Sequence, residues 1–506
     1  MDPRSNQSPP PVDVARLNLL LIGFGLLGLA LYVVVKTMQG GTNSLIAAVV
    51  MIGGIIWIVA GRRAWWMPVP IATSIGGLVW VGFRIYSYEL AMLMAVAALF
   101  PALAINRRTS EQHRGHLAWV AYALPIYLAL HLFASLVMNY YDRGEGYGNI
   151  VRTYTGSIWA ILIVLAFFHY GESRLIRRAV ILVYFGLLFR VLLGLYSYYF
   201  PGFIFFRGFD VFFLLSEYGP AELRESALRL LIVTLGLSAA AKNRGATVFH
   251  LIIAILATWL LLMGSGRATV VMMGAIVILW LVIQRRFALL LFALMGMASV
   301  IAFINLNPGV LYLLPEGPQR ALTILVFGDI LDIQARLAGS NLWHQELFKL
   351  GFQRWTQSII TFFVGNRIFP FDPTMGGYRT DFYHSLHVAA SIARYERALW
   401  TVVATTGLVG AFLYVSTFIA LLRNPIRALF RNRIKDFTHF VYFLATAHTF
   451  LYVLFSPVSG YFPGVELMWA GLAFALYRDE EKRKTNEQLS ASESPATKNP
   501  NIVKSY

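Results

Sequence analysis

Residues 247–306 read TVFHLIIAILATWLLLMGSGRATVVMMGAIVILWLVIQRRFALLLFALMGMASVIAFINL, and most of these residues are apolar. It holds three apolar runs, which begin near Thr247, Ala268 and Phe287 and are separated only by GSGR and QRR. A helix of roughly twenty apolar residues crosses a hydrocarbon core about 30 Å thick. Because lipid offers the backbone no hydrogen-bond partners, each run predicts a membrane-spanning helix.

The same pattern extends through most of the chain. Hydrophobic residues make up 58% of the sequence and charged residues only 13%, which is far from the composition of soluble globular proteins. We therefore predict an all-α, polytopic membrane protein with about fourteen transmembrane helices. Their predicted starts lie near Leu17, Ser44, Trp66, Glu89, Leu117, Gly156, Ala179, Ala227, Thr247, Ala268, Phe287, Leu399, Phe437 and Phe462.

One long segment, residues 307–397, interrupts this pattern and is predicted to be a large extracytoplasmic loop. Residues 1–16 are polar and are expected to form a disordered cytoplasmic tail, followed by transmembrane helices 1–11 in residues 17–306. Helices 12–14 are expected in residues 398–478, and a second disordered cytoplasmic tail in residues 479–506.

Basic residues predict the orientation of the chain in the membrane. Pairs and clusters of Lys and Arg fall in alternate connections, as the positive-inside rule expects of the cytoplasmic side. This alternation predicts that both termini are cytoplasmic and that the long loop is outside. It also explains much of the net charge of +17, so no nucleic-acid partner is expected. The clustered residues are Arg62, Arg63, Arg107, Arg108, Arg114, Arg174, Arg177, Arg178, Lys242, Arg244, Arg285, Arg286, Arg423, Arg427, Arg431, Arg433 and Lys435.

The long loop contains a predicted amphipathic helix. Residues Asn341 to Phe363 (NLWHQELFKLGFQRWTQSIITFF) have apolar side chains at helical spacing, which is typical of a helix along a membrane surface. This helix could be only a lid or an interfacial anchor, or it could direct Arg354 and Trp355 into a cavity beneath it. A second short helix is predicted from Ser385 to Arg397.

Arg267 is the strongest single candidate for a functional residue. It lies between two apolar runs that are separated only by the residues GSG before it. An arginine at the centre of a membrane helix costs about 2.5–3.5 kcal/mol on insertion scales. It could be a snorkelling residue at the interface, or its planar guanidinium could bind phosphate. Arg190 and Glu466 also lie in apolar runs, and they could pair or line a polar cavity with Arg267.

Other chemistry-bearing patterns give little support to a cofactor. The chain contains no cysteine, no HExxH, no DxD sugar-nucleotide motif, no Walker loop and no glycine-rich dinucleotide fingerprint. We therefore expect no metal and no cofactor. Histidines within the predicted spans are interpreted as hydrogen-bonding residues between helices rather than catalysts: His131, His250, His439 and His448.

Three motifs around the loop carry a family resemblance. They are GSGRATVVMMGAIV with Arg267, FQRWTQSIITFFVGN with Arg354, Trp355 and Gly365, and ERALWTVVATTGLVGAFLYV with Gly407 and Gly410. Together with a large loop before the last helices, they make the chain similar to the O-antigen polymerase/ligase superfamily of bacterial envelope glycosyltransferases. The resemblance covers about residues 230–425 at the level of motifs and the whole chain at the level of topology.

The resemblance implies a metal-independent glycosyltransferase in the bacterial inner membrane. Its substrate would be a polyprenyl-diphosphate-linked oligosaccharide, polymerised or ligated at the outer face. The resemblance assigns the diphosphate to Arg267 together with Arg354 or Arg336. Candidate bases are Glu396, His387 and His384, and candidate glycan-stacking residues, which are equally suited to anchoring the membrane, are Trp343, Trp355, Tyr378 and Tyr383.

Glu396 stands where ligases of this superfamily carry a histidine, which favours a polymerase. Expected partners are the polyprenyl-diphosphate-linked glycan, membrane lipid and other polysaccharide-assembly proteins, such as a chain-length regulator and a flippase. The alternatives are an O-antigen ligase, a flippase for lipid-linked oligosaccharides and a scaffold in an export complex. A single late loop and the absence of two related halves disfavour a transporter.

Overall fold

Helices dominate the computed structural model, which describes residues 66–75, 78–80, 84–86, 89–96, 99, 119–138, 147–170, 173–199, 220–264, 266–327, 331–368, 395, 398–455 and 464–492. The principal helices are α1 (Trp119–Met138), α2 (Tyr147–Tyr170), α3 (Ser173–Tyr199), α4 (Pro220–Ala240), α5 (Arg244–Met263), α6 (Arg267–Ile283), α7 (Phe287–Leu306), α8 (Glu316–Leu322), α9 (Leu331–Trp355), α10 (Ile359–Val364), α11 (Ala398–Asn432), α12 (Phe437–His448) and α13 (Val465–Ser492). Short 3-10 segments, Pro308–Leu313, Thr323–Leu325 and Asn366–Ile368, connect the helices of the loop, and a π-helical segment, Thr449–Phe455, follows α12.

A helix occupies each predicted span from the one near Leu117 to the one near Phe462. In the described part of the chain, four helices are long and apolar enough to cross a membrane: Ser173–Tyr196, Arg244–Met263, Phe287–Leu306 and Leu399–Asn432. Three shorter apolar helices, Tyr122–Met138, Tyr154–Phe167 and Arg267–Ile283, accompany them. The all-α class is thus confirmed. The spans predicted near Leu17 and Ser44, and the N-terminal tail, lie outside the described residues.

The span predicted to start at Trp66 is not a continuous helix. The chain is helical over Pro68–Pro70 and Ile71–Ile75 and then forms a short antiparallel hairpin. In this hairpin Leu78 to Trp80 pairs with Arg84 to Tyr86. The sequence ATSIGGLVWVGFRIY explains the change, because paired glycines weaken a helix while Val, Trp, Ile and Tyr favour strands.

The core of the bundle lies around α12. Its side chains from Phe440 to Ala445 are fully buried, and the helix packs against α4, α11 and α13. Helix α7 is the opposite case, since most of its apolar side chains are exposed, including Phe292 at 70% and Leu306 at 80%, and only Ile304 is buried. An apolar helix of this kind is stable in contact with lipid rather than with water.

Basic residues predicted for one side of the membrane meet at one end of the bundle. The guanidinium of Arg177 at the start of α3 lies 5.9 Å from the ring centre of Phe437, which starts α12. Arg285 after α6 donates to the backbone oxygens of Phe430 and Arg431 at the end of α11, at 3.1 and 3.2 Å. Among the described loop helices, α8 packs near the start of α6 and α10 near the start of α11, at the ends opposite to Arg285 and Arg431.

Two helix boundaries differ from the sequence-based expectation. Helix α13 continues to Ser492, although disorder is predicted from residue 479. The extension is rich in Glu and Lys and carries ion pairs one turn apart, such as Lys484 with Glu480 at 2.8 Å; such pairs stabilise an exposed helix.

The amphipathic loop helix also differs, because the segment predicted from Asn341 to Phe363 is two helices. Helix α9 begins earlier, at Leu331, and ends at Trp355, and α10 starts after a break at residues 356–358. Ser358 and Thr361 form a reciprocal capping box that starts the new helix, and this accounts for the break. The second predicted loop helix, Ser385 to Arg397, lies largely outside the described residues.

Candidate functional site

Helix α8 brings the start of the loop onto the turn between α5 and α6. Pro315 caps this short helix, Glu316 lies in its first turn and Arg320 in its last, as the helix dipole favours. At Gly317 the two segments approach so closely that a Cβ would meet the carbonyl oxygen of Met263. This contact places Arg320 within electrostatic reach of Arg267.

A third arginine completes this group. Arg224, in the first turns of α4, lies beside Gly266, where a Cβ would be 3.5 Å from the Cδ and Nη1 atoms of Arg224. We call Arg224, Arg267 and Arg320 the arginine cluster. Its members come from three separate helices, α4, α6 and α8, and are brought together only by tertiary packing.

The start of α6 adds a favourable dipole to the arginine cluster. Arg267 is the first residue of this helix, and Gly266 at the N-cap supplies no side-chain hydrogen bond to the first backbone N–H groups. Thr269 instead donates its hydroxyl hydrogen to the carbonyl oxygen of Gly266. Backbone N–H groups at a helix start, together with guanidinium groups, favour a phosphate or other anion.

The other two predicted phosphate ligands lie elsewhere on the loop. Arg354 is half-buried in the last turn of α9, a helix that packs against α10 and α11. The backbone of Arg336 belongs to the same helix, and its side chain lies outside the described part of the structure. The loop arginine that the structure brings to Arg267 is Arg320, which the sequence-based interpretation missed.

The predicted glycan-binding tryptophans pack into the protein. Trp355 donates its indole N–H to the backbone oxygen of Phe362 at 2.9 Å, and its ring stacks on Phe362 with centroids 4.7 Å apart. Trp343 packs against a small buried cluster of Leu347, Tyr395 and Ala404. Both tryptophans therefore help to fold the loop. The remaining predicted site residues lie outside the described residues: Tyr378, Tyr383, His384, His387 and Glu396.

A second contact joins the loop to the bundle at two glycines. Gly365 follows α10 with φ of 99°, and Gly407 breaks α11 with φ of 66°, a left-handed region that favours glycine. A Cβ on Gly365 would meet the carbonyl of Thr405, and a Cβ on Gly407 would meet the carbonyl of Phe363. Two of the sequence motifs, the turn at Gly365 and the glycines after residue 406, thus lie against each other.

Side chains of α1 surround this glycine contact. Tyr127 donates its hydroxyl hydrogen to the backbone oxygen of Thr406 at 2.7 Å, and the oxygen of Val364 lies 3.3 Å from the same hydroxyl. His131 Nε2 lies 2.8 Å from the oxygen of Val364, and its Nδ1 lies 2.6 Å from the hydroxyl of Tyr154. Arg367, which follows Gly365, is buried and within electrostatic reach of His131.

A group of three charged residues, Arg229, Glu225 and Glu466, lies at the same end of the bundle as the loop. The Arg229 guanidinium lies 3.8 Å from the Glu225 carboxylate and 5.3 Å from the ring centre of Tyr452. Glu466, only 6% exposed, is within electrostatic reach of Arg229. Arg229 is therefore a cation that acts on Glu466, a role that the sequence-based interpretation did not assign to it. Ionisable groups within membrane bundles usually have partners of opposite charge, and Arg229 supplies the positive charge in this group.

The histidines divide into two kinds. His131 bonds to Tyr154 on another helix, and His250 lies 3.4 Å from the hydroxyl of Tyr184 on α3, which confirms the predicted role between helices for both. His448 bonds to the backbone oxygen of Leu444 in its own helix, and His439 bonds to the N-cap residue Asp436. The prediction is wrong for His448 and His439, whose hydrogen bonds stabilise α12 itself.

Among the described residues, the arginine cluster is a group suited to binding an anion at the end of an apolar bundle. In the described ranges, no group of three His, Cys, Asp or Glu residues is arranged to hold a metal ion. Comparison of the chain with protein-family models gives no match, and comparison with curated proteins gives none either.

Proposed function

We propose that this chain is a glycosyltransferase of the O-antigen polymerase/ligase type, which polymerises polyprenyl-diphosphate-linked oligosaccharides at the outer face of a bacterial inner membrane. The proposal includes about fourteen spans, cytoplasmic termini and an outer loop over residues 307–397. The observation that carries it is the arginine cluster. The cluster lies where the loop meets the end of an apolar bundle, as the diphosphate of a lipid with its tail in the bilayer requires.

The proposed reaction uses positively charged side chains, rather than a cofactor, to stabilise the leaving diphosphate. The acceptor hydroxyl oxygen bonds to the anomeric carbon of the donor glycan while the bond from that carbon to the diphosphate oxygen breaks. The hydroxyl proton passes to a base, for which Glu396, His387 and His384 are the candidates, and the polyprenyl diphosphate leaves as an anion. Arg267, Arg320 and Arg224 would stabilise the negative charge that develops on the leaving oxygen.

Glu396 supports a polymerase over a ligase, because ligases of this superfamily carry a histidine at that position. A ligase that transfers the glycan to a lipid or protein acceptor is the alternative that needs the fewest changes, since it uses the same donor. A flippase would also need cations for the diphosphate. It is disfavoured because the loop is docked to the bundle at two separate contacts, the Gly317 contact and the Gly365–Gly407 contact.

The experiment is a deletion strain complemented with the wild type, Arg267→Ala or Arg244→Ala. Arg244 is a matched control, because it is also the first residue of its helix but is exposed at the opposite end of the bundle. Surface polysaccharide and lipid-linked intermediates are compared by gel and mass spectrometry. We expect single repeat units in place of long chains in the deletion and in Arg267→Ala, and long chains with Arg244→Ala.

The other outcomes separate the alternatives. Long chains that remain on the lipid carrier would assign a ligase. Intermediates trapped on the cytoplasmic side would assign a flippase and would remove Arg267 from catalysis. Unchanged polysaccharide in the deletion strain would overturn the proposed function altogether.

A further inference from the structure

The inference concerns the way the loop is held at the Gly365–Gly407 contact. Helix α10 ends at Val364, and the break at Gly407 interrupts α11, so the carbonyl groups before each glycine cannot all bond within their own helices. An unbonded carbonyl is costly in an apolar bundle. Tyr127 and His131 bond to these carbonyls, Tyr127 to Thr406 and His131 to Val364.

The hydrogen bonds of His131 determine which of its ring nitrogens carries the hydrogen. Because the carbonyl of Val364 can only accept, the hydrogen lies on Nε2 of His131. In the neutral ring Nδ1 then accepts from the hydroxyl of Tyr154, which is fully buried and lies 3.2 Å from the hydroxyl of Ser135. Tyr154 and Ser135 both belong to helices of the bundle, and they hold the ring of His131 in place. Helix α1 therefore presents a fixed N–H group to the loop.

The positions of Tyr127 and His131 on α1 suit them to act together. They are four residues apart, which places them on the same face of the helix, with ring centroids 5.6 Å apart. The hydroxyl of Tyr127 reaches α11 and a ring nitrogen of His131 reaches the loop, so the two side chains connect the segments on either side of the glycine contact. We call these two side chains the α1 clamp.

We propose that the α1 clamp positions the C-terminal part of the loop for glycosyl transfer. This inference rests on the proposed function. The clamp joins the chain at residue 364 to the chain at residue 406, so it fixes both points from which the intervening segment extends. Tyr127 and His131 are positioning residues in this scheme, since they contact backbone carbonyls and not substrate, and the arginine cluster does not depend on them.

The test uses full-length protein in lipid nanodiscs and compares Tyr127→Phe and His131→Phe with two matched controls. Tyr122→Phe removes the same hydroxyl from the same helix, at a position lining an apolar cavity with Ile161 and Leu165. His250→Phe removes a histidine whose hydrogen bond in the described part of the chain joins α3 and α5. His131→Gln restores an N–H donor and should recover part of the wild-type behaviour.

Two readouts are needed. Amide hydrogen exchange in residues 359–368 and 402–410 should become about three- to tenfold faster in the clamp variants, as expected for loss of one hydrogen bond, and should not change in the controls. The kcat for chain formation should fall by a similar factor, while the KM for the lipid-linked donor stays the same. A lower kcat at constant KM is what displacement of the loop predicts, because the donor site remains intact.

Exchange at the wild-type rate in both clamp variants would overturn the clamp. Faster exchange with unchanged kcat would overturn the positioning role and leave the two side chains with a structural role only. Failure of the wild type to form chains would overturn the proposed function, and with it the positioning role. The exchange rates would still show whether Tyr127 and His131 hold the loop.

Discussion

At the scale of single residues, the arginine cluster joins side chains that are far apart in the sequence. Arg224, Arg267 and Arg320 each belong to a different helix. Arg320 lies within electrostatic reach of Arg267 because Gly317 allows α8 to lie against the carbonyl of Met263. Like charges that are brought together favour a bound anion, and a diphosphate supplies more than one negative charge.

The first prediction distinguishes Arg320 from Arg354. Arg320→Ala should lower the rate of chain formation about 10²-fold, the effect of removing one donor that stabilises transition-state charge. Arg354→Ala should have a smaller effect, because Arg354 lies at the end of α9, which packs against α10 and α11, whereas the arginine cluster comes from α4, α6 and α8. The measurement is the initial rate with purified protein and lipid-linked repeat units. The reverse order of effects would return the diphosphate to Arg354.

The second prediction concerns Asp436, in the connection between α11 and α12. Its carboxylate accepts the backbone N–H of His439 at 2.9 Å and contacts the His439 ring at 2.7 Å. Burial acts to raise the pKa of Asp436, but these hydrogen bonds together hold it below its ordinary value. A lowered pKa stabilises the folded protein above the unfolded-state pKa of about 3.9, and this stabilisation is lost as the pH falls through the folded-state pKa.

Asp436→Ala should therefore lower the free energy of unfolding by about 1 kcal/mol at pH 7, as loss of an N-cap does. The difference from the wild type should shrink as the pH falls below about 4. Thermal unfolding in detergent at several pH values measures this. Equal stability of the two proteins at pH 7 would show that the cap contributes nothing.

At the scale of elements, the loop is a set of short helices fastened to the bundle at separate places. Helix α8 packs against α5 and α6, while α9 and α10 pack against α11. The aromatic side chains of Phe352, Trp355 and Trp400 pack between α9 and α11. The loop is thus attached to both the helix that carries Arg267 and the helix that carries Gly407.

The third prediction is that Gly407→Ala abolishes or strongly reduces activity. An alanine there would have to adopt φ of 66° and place its Cβ against the carbonyl of Phe363, so α10 would have to move away from α11. Gly296→Ala in α7 is the control, because a Cβ at that position meets nothing within 4 Å. Both variants are compared by rate of chain formation and by thermal stability. Full activity of Gly407→Ala would show that this close contact is not required.

The elements also show what a sequence can predict. Helices α1 to α7 and α11 to α13 were predictable because long apolar runs allow only a helix in lipid. The break between α9 and α10 was not, because apolar periodicity continues through Thr356 to Ser358 while the local capping box interrupts the helix. Arg267 was predictable from its isolation among apolar residues. Arg320, Tyr127 and Arg367 were not, because their roles depend on packing between distant segments.

At the scale of the whole molecule, the structure places the described loop helices at one end of the bundle and the clustered basic residues near α3, α6 and α11 at the other. This arrangement agrees with the alternation from which the orientation is proposed. It also places the group of Arg229, Glu225 and Glu466 at the same end of the bundle as the loop.

The fourth prediction tests this orientation, and the absence of native cysteine makes it simple. Leu313→Cys lies on the loop at a position that is 83% exposed, and Glu487→Cys lies near the end of α13. A membrane-impermeant maleimide added to spheroplasts should label Leu313→Cys at once and Glu487→Cys only after the membrane is permeabilised. Labelling of both positions from the same side would contradict the proposed topology.

The most direct test of the central claim is chain formation by purified protein in proteoliposomes supplied with lipid-linked repeat units. The wild type should form long chains, and Arg267→Ala should leave single repeat units while retaining wild-type thermal stability. Arg267→Lys should restore little activity, because an ammonium group does not reproduce the bidentate contact of a guanidinium with phosphate. Long chains made by Arg267→Ala at the wild-type rate would contradict the assignment of the arginine cluster to the diphosphate.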